Sequence, residues 1–251
     1  MKSLRHRARE FLESRGYWLR HRSVLPTGID YQHDIRRLCN LLHVSVRVFF
    51  DVGANTGQTS IAALENFPEA SIYAFEPARS TFTALTGKIH DHRFRAFNVA
   101  LSDKAGQSRF FDYGPLATSN SLVERAQYAV RAGHTATIDT VDCETLDEFC
   151  SRERVDSIDV LKIDTEGHDL AVLSGATRML DQDRIRFVYV EFNTLLPKAD
   201  TTGGALLPIS ECLEPRGFRF VATYPEYLIT TGEFFVTCNA LFVRAESGQG
   251  P

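Results

Sequence analysis

Apolar positions along the chain alternate between two periods. Ile35, Leu38, Cys39, Leu41 and Leu42 recur at helical spacing over 33–43, and the next run, VRVFFDVG, is almost continuously apolar and ends in glycine, which predicts a helix followed by a strand. The pattern then repeats as a helix from Gly57 to about Asn66, strand SIYAFE, a helix from Arg79 to about Ile89, and strand FRAFNVAL. Farther on come strand SIDVLKID, a single helix through GHDLAVLSGATRML, and strand RFVYVEF. Apolar strands separated by helices belong to a parallel sheet covered on both faces. FRFVAT and CNALFVR have only a loop between them and predict an antiparallel hairpin. The expected fold class is α/β: a Rossmann-like, doubly wound, mostly parallel sheet with a C-terminal antiparallel hairpin.

Two stretches depart from this rhythm. Over residues 102–140, FFDYGPLATSNS and RAGHTATI break short β-like pieces with Gly, Pro and Ser, and are expected to form an insertion over the site. The first 32 residues form a basic arm, in which Lys2, Arg5, Arg7, Arg9 and three further arginines up to Arg22 face only Glu10 and Glu13. Such an arm is a solvated surface segment or a peripheral contact to the inner face of a membrane, where anionic headgroups attract clustered Arg and Lys. The division expected is therefore an arm at 1–32 and one domain over 33–251.

Composition narrows the class. A net charge of −4 argues against a general nucleic-acid binder, which needs a basic face for phosphates. Five cysteines without CxxC spacing fit neither a disulfide framework nor a zinc site. With no apolar run approaching about 18 residues and no signal peptide, a cytoplasmic protein is expected.

The chemistry is concentrated at strand ends, because an open α/β sheet binds ligands outside the carboxyl ends of its strands where the strand order reverses. The first strand leads into Asp51-Val52-Gly53-Ala54-Asn55-Thr56-Gly57. Gly53 allows a sharp exit and Gly57 a close approach of backbone to ligand. This is not GxGxxG: it has two glycines, and the carboxylate of Asp51 would repel a pyrophosphate but attract an amino group or a sulfonium. The second strand ends at Glu76, where a nucleoside-binding fold places the acid that accepts ribose hydroxyls, and Pro77 closes it.

These residues resemble the FkbM-type methyltransferases, a branch of the class I S-adenosylmethionine-dependent enzymes. The resemblance runs from about Val48 to Val190 through DVGANTGQTS, YAFEPARSTF, FNVALSDKAG, TLDEFC, VDSIDVLKIDTEGHDLAVLSGA and VYVEFN. It implies an S-adenosyl-L-methionine cofactor seated on Asp51, Gly53, Ala54, Asn55 and Gly57, with Glu76 and Pro77 at its ribose. It further implies Asn98, Val99 and Ala100 beside the adenine and Asp164 facing the methyl-transfer site. The acceptor range it implies is a hydroxyl on a sugar, glycolipid or natural product.

An alcohol is a poor nucleophile until its proton is taken. Asp164, Glu166, His168 and Glu191, at the ends of two neighbouring strands, form the pool of candidate bases. Asp164, Glu166 and Glu191 are also the oxygen ligands that a hard divalent cation such as magnesium would take. Glu166 and Asp169 have an alternative role in a first helical turn, where acids favour the dipole. Lys162 is expected on the opposite side of its strand from Asp164, in a structural role. Tyr113, Tyr128, Tyr224, Tyr227 and His134 lie in segments that could form the acceptor pocket. Two other functions fit parts of the pattern: an NAD-dependent oxidoreductase, disfavoured by the missing third glycine and by Asp51, and a non-catalytic module docking on a membrane or partner.

Overall fold

The computed structural model describes residues 10–17, 25–114, 120–124, 136–195, 204–230 and 234–244, with backbone alone at 226–230 and 234–237. Helix α1 (Tyr31–Leu42) starts where Asp30 accepts the His33 amide at 3.0 Å, and it stops at His43 in the left-handed region. There follow β1 (Val48–Val52), α2 (Gln58–Asn66), β2 (Ser71–Phe75), α3 (Arg79–Lys88), β3 (Phe94–Phe97) and β4 (Ala100–Leu101). β5 (Gly106–Asp112) and β6 (Thr137–Glu144) precede α4 (Leu146–Glu153), β7 (Ile158–Ile163), α5 (Asp169–Ser174), α6 (Thr177–Asp181), β8 (Ile185–Phe192) and α7 (Leu206–Leu213). The last two strands are β9 (Phe218–Thr230) and β10 (Phe234–Arg244).

Seven strands form the main sheet in the order β3-β2-β1-β7-β8-β10-β9. All neighbours are parallel except β10, which runs against both β8 and β9. Chain order therefore moves outward from β1 through β2 and β3, then restarts on the other side of β1 with β7 and β8. The crevice above β1 and β7 is the switch point where such a sheet takes a ligand. Phe49 and Phe50 show the two-sided burial: both are fully buried, on opposite faces. Phe49 packs with Ile35, Ile72 and Phe187 beneath α1 and α2, and Phe50 with Phe75, Phe149 and Val188 beneath α4 to α7. Phe149 presents its ring edge-on to Phe50, Phe75 and Phe97, a favoured arrangement of aromatic quadrupoles.

Three sequence expectations change. FRAFNVAL is two strands, because the chain turns at Asn98, whose amide donates to the Glu76 and Pro77 carbonyls at 2.9 and 2.8 Å. β4 then joins β5 and β6 in a separate three-stranded sheet. The segment GHDLAVLSGATRML is two helices. Gly175 lies against the Ser102 carbonyl, where a Cβ would fall 2.0 Å from the oxygen, and Asp147 caps the new helix by accepting the Arg178 and Met179 amides. Tyr224 belongs to the core and not to an acceptor pocket: it packs on Tyr189 and its hydroxyl donates to Asp34 at 2.8 Å.

Tyr128, His134, residues 1–9 and 18–24 of the basic arm, and the Tyr227 side chain lie outside the described residues. Among the described residues, no helix is long and apolar enough to cross a membrane.

Candidate active site

At the end of β1 the backbone doubles back. Gly53 takes φ +73°, and the amides of Gly53 and Ala54 both donate to the Phe75 carbonyl at 3.0 Å. Asn55 follows with φ +48°, its side chain accepting the Thr56 amide at 2.7 Å, and Gly57 opens α2 at φ +86°. A Cβ on Gly57 would stand 2.7 Å from the terminal methyls of Leu85 and Ile89, which can give way, so it is the left-handed φ that favours glycine here.

Glu76, just beyond β2, clamps the bend. One of its oxygens accepts the Asn55 amide at 3.0 Å and the other the Ala78 amide at 2.9 Å. A carboxylate has about four lone-pair sites, so two amide bonds leave acceptor capacity for a vicinal diol. Burial pushes its pKa up to about 7, against the two amides and Lys162, which favour the anion. The chemistry of this acceptor at the tip of β2, next to a glycine-lined bend, fits the ribose of a nucleoside cofactor. Pro77 is half-buried beside it. Asn98, expected beside an adenine, has its amide engaged on the Glu76 and Pro77 carbonyls. Val99 packs against the core, and Ala100 is a buried residue of β4.

Asp51 lies beneath the bend. Its carboxylate is fully buried, accepts the Ser60 hydroxyl at 2.6 Å, and lies 2.9 Å from Lys162 Nζ. Its charge is balanced inside the protein by the lysine. Lys162 is also on the same side as Asp164, at 3.6 Å, and not opposite it. Residues two apart in a strand share a face, so alternation separates Lys162 from Ile163 instead.

The tip of β7 carries the candidate acids. Asp164 donates its amide to the Val52 carbonyl at 3.1 Å, which ties the two central strand ends together, and its side chain is 34% exposed. Glu166 and Gly167 then take φ +56° and +100°. Asp169 holds this unusual turn by accepting the Thr165 and Gly167 amides, both at 3.1 Å. It is buried, and that burial, with Asp164 nearby, pushes its pKa up. The turn brings Asp164, Glu166 and the buried Glu191 together, with carboxylate oxygens within 4.8 Å of one another.

His168 faces elsewhere. Its Nε2 lies 2.9 Å from Ser102 Oγ, which is in turn 3.1 Å from Asp103 Oδ1. Burial holds its pKa below the usual histidine value, partly offset by Asp103. The insertion touches the same turn: Ser121 Oγ donates to the Thr165 and Glu166 carbonyls at 3.1 and 3.0 Å.

Sequence reasoning passed over Asn239. It is buried opposite Glu191 in the β8–β10 register, and its amide oxygen and nitrogen have no hydrogen-bond partner among the described residues. Only its isolation as the one amide within the apolar run of CNALFVR marks it in the sequence.

A Rossmann order extended by a reversed last strand, with an acid at the tip of β2 and a carboxylate cluster at β7 and β8, is the class I methyltransferase fold. Residues 51–220 match the model of the methyltransferase FkbM domain, and the chain belongs to that family of S-adenosylmethionine-dependent enzymes. It is 28% identical over 200 residues to the 2-O-methyltransferase NoeI of Sinorhizobium fredii, covering 76% of this chain and 77% of that protein. It is 31% identical over 213 residues to the 31-O-demethyl-FK506 methyltransferase FkbM of Streptomyces tacrolimicus, covering 73% and 78%. The hexuronic acid methyltransferase AglP of Haloferax volcanii is 30% identical over 162 residues, covering 62% and 59%. The dinucleotide reading is set aside on this membership.

Proposed function

We propose that the protein methylates a hydroxyl oxygen on a sugar, glycolipid or natural product, with Asp164 receiving the hydroxyl proton. S-adenosylmethionine supplies an activated methyl on a sulfonium, which leaves as a neutral thioether when the acceptor oxygen takes the methyl. The chain's residues do the rest: Glu76 and the Gly53–Gly57 bend hold the nucleoside, and Asp164 stands at the adjoining strand tip to orient the hydroxyl. Displacement on a sulfonium asks mainly for alignment, which such fixed strand ends provide. Glu166 and Glu191 supply further acceptors for neighbouring hydroxyls, and His168 is the second candidate base.

The observation that carries this reading is the gathering of Asp164, Glu166 and Glu191 within 4.8 Å beside the cofactor bend. The acceptors in the names of two relatives, 31-O-demethyl-FK506 and hexuronic acid, and the 2-O position in the name of the third support the acceptor class. Metabolites and glycolipids from gene-deleted and overexpressing cells, compared by mass spectrometry, test it through a difference of about 14 Da, one CH₂. No such difference in any hydroxylated compound would refute it.

The same carboxylates are the ligand type that magnesium takes. Turnover after EDTA treatment, with and without added magnesium, decides whether a cation takes part. Contact of the basic arm with anionic lipid is a separate proposal resting on its arginines, and pelleting with phosphatidylserine vesicles, with and without residues 1–22, tests it.

A further inference from the structure

Lys162 is a buried ammonium that touches both halves of the site. From β7 it reaches across to β1, where Asp51 is its register partner. Its Nζ donates to the Gly53 carbonyl at 2.9 Å and the Val52 carbonyl at 3.3 Å, and lies 2.9 Å from Asp51 Oδ1 and 3.6 Å from Asp164 Oδ2. The carbonyls belong to the cofactor bend, and Asp164 is the carboxylate assigned to the acceptor. Burial alone would lower the lysine's pKa, but Asp51 and Asp164 outweigh it and keep the group charged.

A counter-ion for Asp51 alone would need neither the bend carbonyls nor Asp164. A compact cation with three rotatable donors on a flexible stem can donate to the bend carbonyls and Asp51 while its charge stays within ion-pair range of Asp164, whereas the planar fork of arginine cannot be turned to them independently. We propose that Lys162 is a positioning residue: it fixes the Asp164 carboxylate relative to the glycine bend, so that the acceptor oxygen and the bound methyl donor are held in line. This inference rests on the assignment of Asp164 to the acceptor.

The test separates the Asp51 role from the Asp164 role. D51N keeps the ammonium and the side-chain shape, whereas D51N/K162M removes both buried charges and leaves Asp164 without its neighbour. Thermal melting of the apo protein, S-adenosylhomocysteine affinity by calorimetry, and methyl transfer from labelled S-adenosylmethionine into a glycan and glycolipid extract of gene-deleted cells are read for each. The expected result is that both variants melt and bind S-adenosylhomocysteine within about threefold of each other. Transfer by D51N/K162M is then slower than by D51N on the order of 100-fold, the scale for misplaced reacting groups. Equal transfer by the two variants, or failure of D51N/K162M alone to fold, would make Lys162 a fold residue and overturn the proposal. D164N is the control for the underlying assignment: wild-type transfer by D164N removes that assignment and the inference with it. A slow D164N beside equal transfer by the two lysine-series variants removes the inference alone.

Discussion

Gly53 and Asp164 stand so close that a Cβ on the glycine would fall 1.9 Å from the Asp164 carbonyl oxygen. The bend assigned to the cofactor and the strand tip assigned to the acceptor are thus packed backbone against backbone, without a side chain between them. Gly53→Ala must displace one of them, at φ +73° as well. A loss of about 3 kcal/mol is expected in urea unfolding, from overpacking and left-handed strain together. Gly87→Ala, at an exposed helical site with open space, should instead stabilise by up to about 1 kcal/mol. Similar values for the two would contradict the close approach.

Glu76 sets a pH dependence with a definite sign. Its pKa in the folded chain is about 7, against an ordinary value of 4.5, so the native state holds this proton more tightly than the unfolded chain. Stability from this group is present below pH 4.5 and declines as pH rises through 7, by on the order of 3 kcal/mol. Ribose hydroxyls donate to the ionised form, so S-adenosylhomocysteine should bind about tenfold more tightly at pH 8 than at pH 6. Glu76→Gln should flatten both profiles, as followed by urea melts and calorimetry across that range.

Asp169 stabilises a turn that the backbone would otherwise avoid. Asp169→Ala removes the acceptor for two buried amides, at an expected cost of about 2–4 kcal/mol. Turnover should fall further than cofactor affinity, because Asp164 and Glu166 lose their relative placement while Glu76 keeps its own. A variant with normal stability and turnover would show that the turn holds itself.

Tyr224→Phe tests the core assignment of that tyrosine. Loss of its bond to Asp34, which keeps the Gly28 amide at 2.9 Å, should cost about 1–2 kcal/mol. Methyl-transfer kinetics should be unaffected, and a changed acceptor KM would return Tyr224 to the pocket.

Much of the fold was legible because it depends on local periodicity. The β1, β7 and β8 runs, the glycine bend and the β2 acid all read directly from apolar stretches and their terminal residues. FRAFNVAL misled because its apolar pattern runs on through Asn98, and only the carbonyls of a neighbouring strand make the chain turn there. The break at Gly175 likewise needs the Ser102 carbonyl, which is remote in sequence. Tyr224 was misread because a polar group beside a predicted site looks like a ligand contact until a distant partner, here Asp34, is seen to satisfy it.

The sequence by itself determined the alternation of strands and helices, the glycine bend after β1, and the carboxylates at the strand tips, since each follows from side-chain period and residue type within a short stretch. Only the tertiary structure decided which of those charges face one another. Burial removes water as the default partner, and the partner that replaces it lies on whichever strand the sheet order brings alongside.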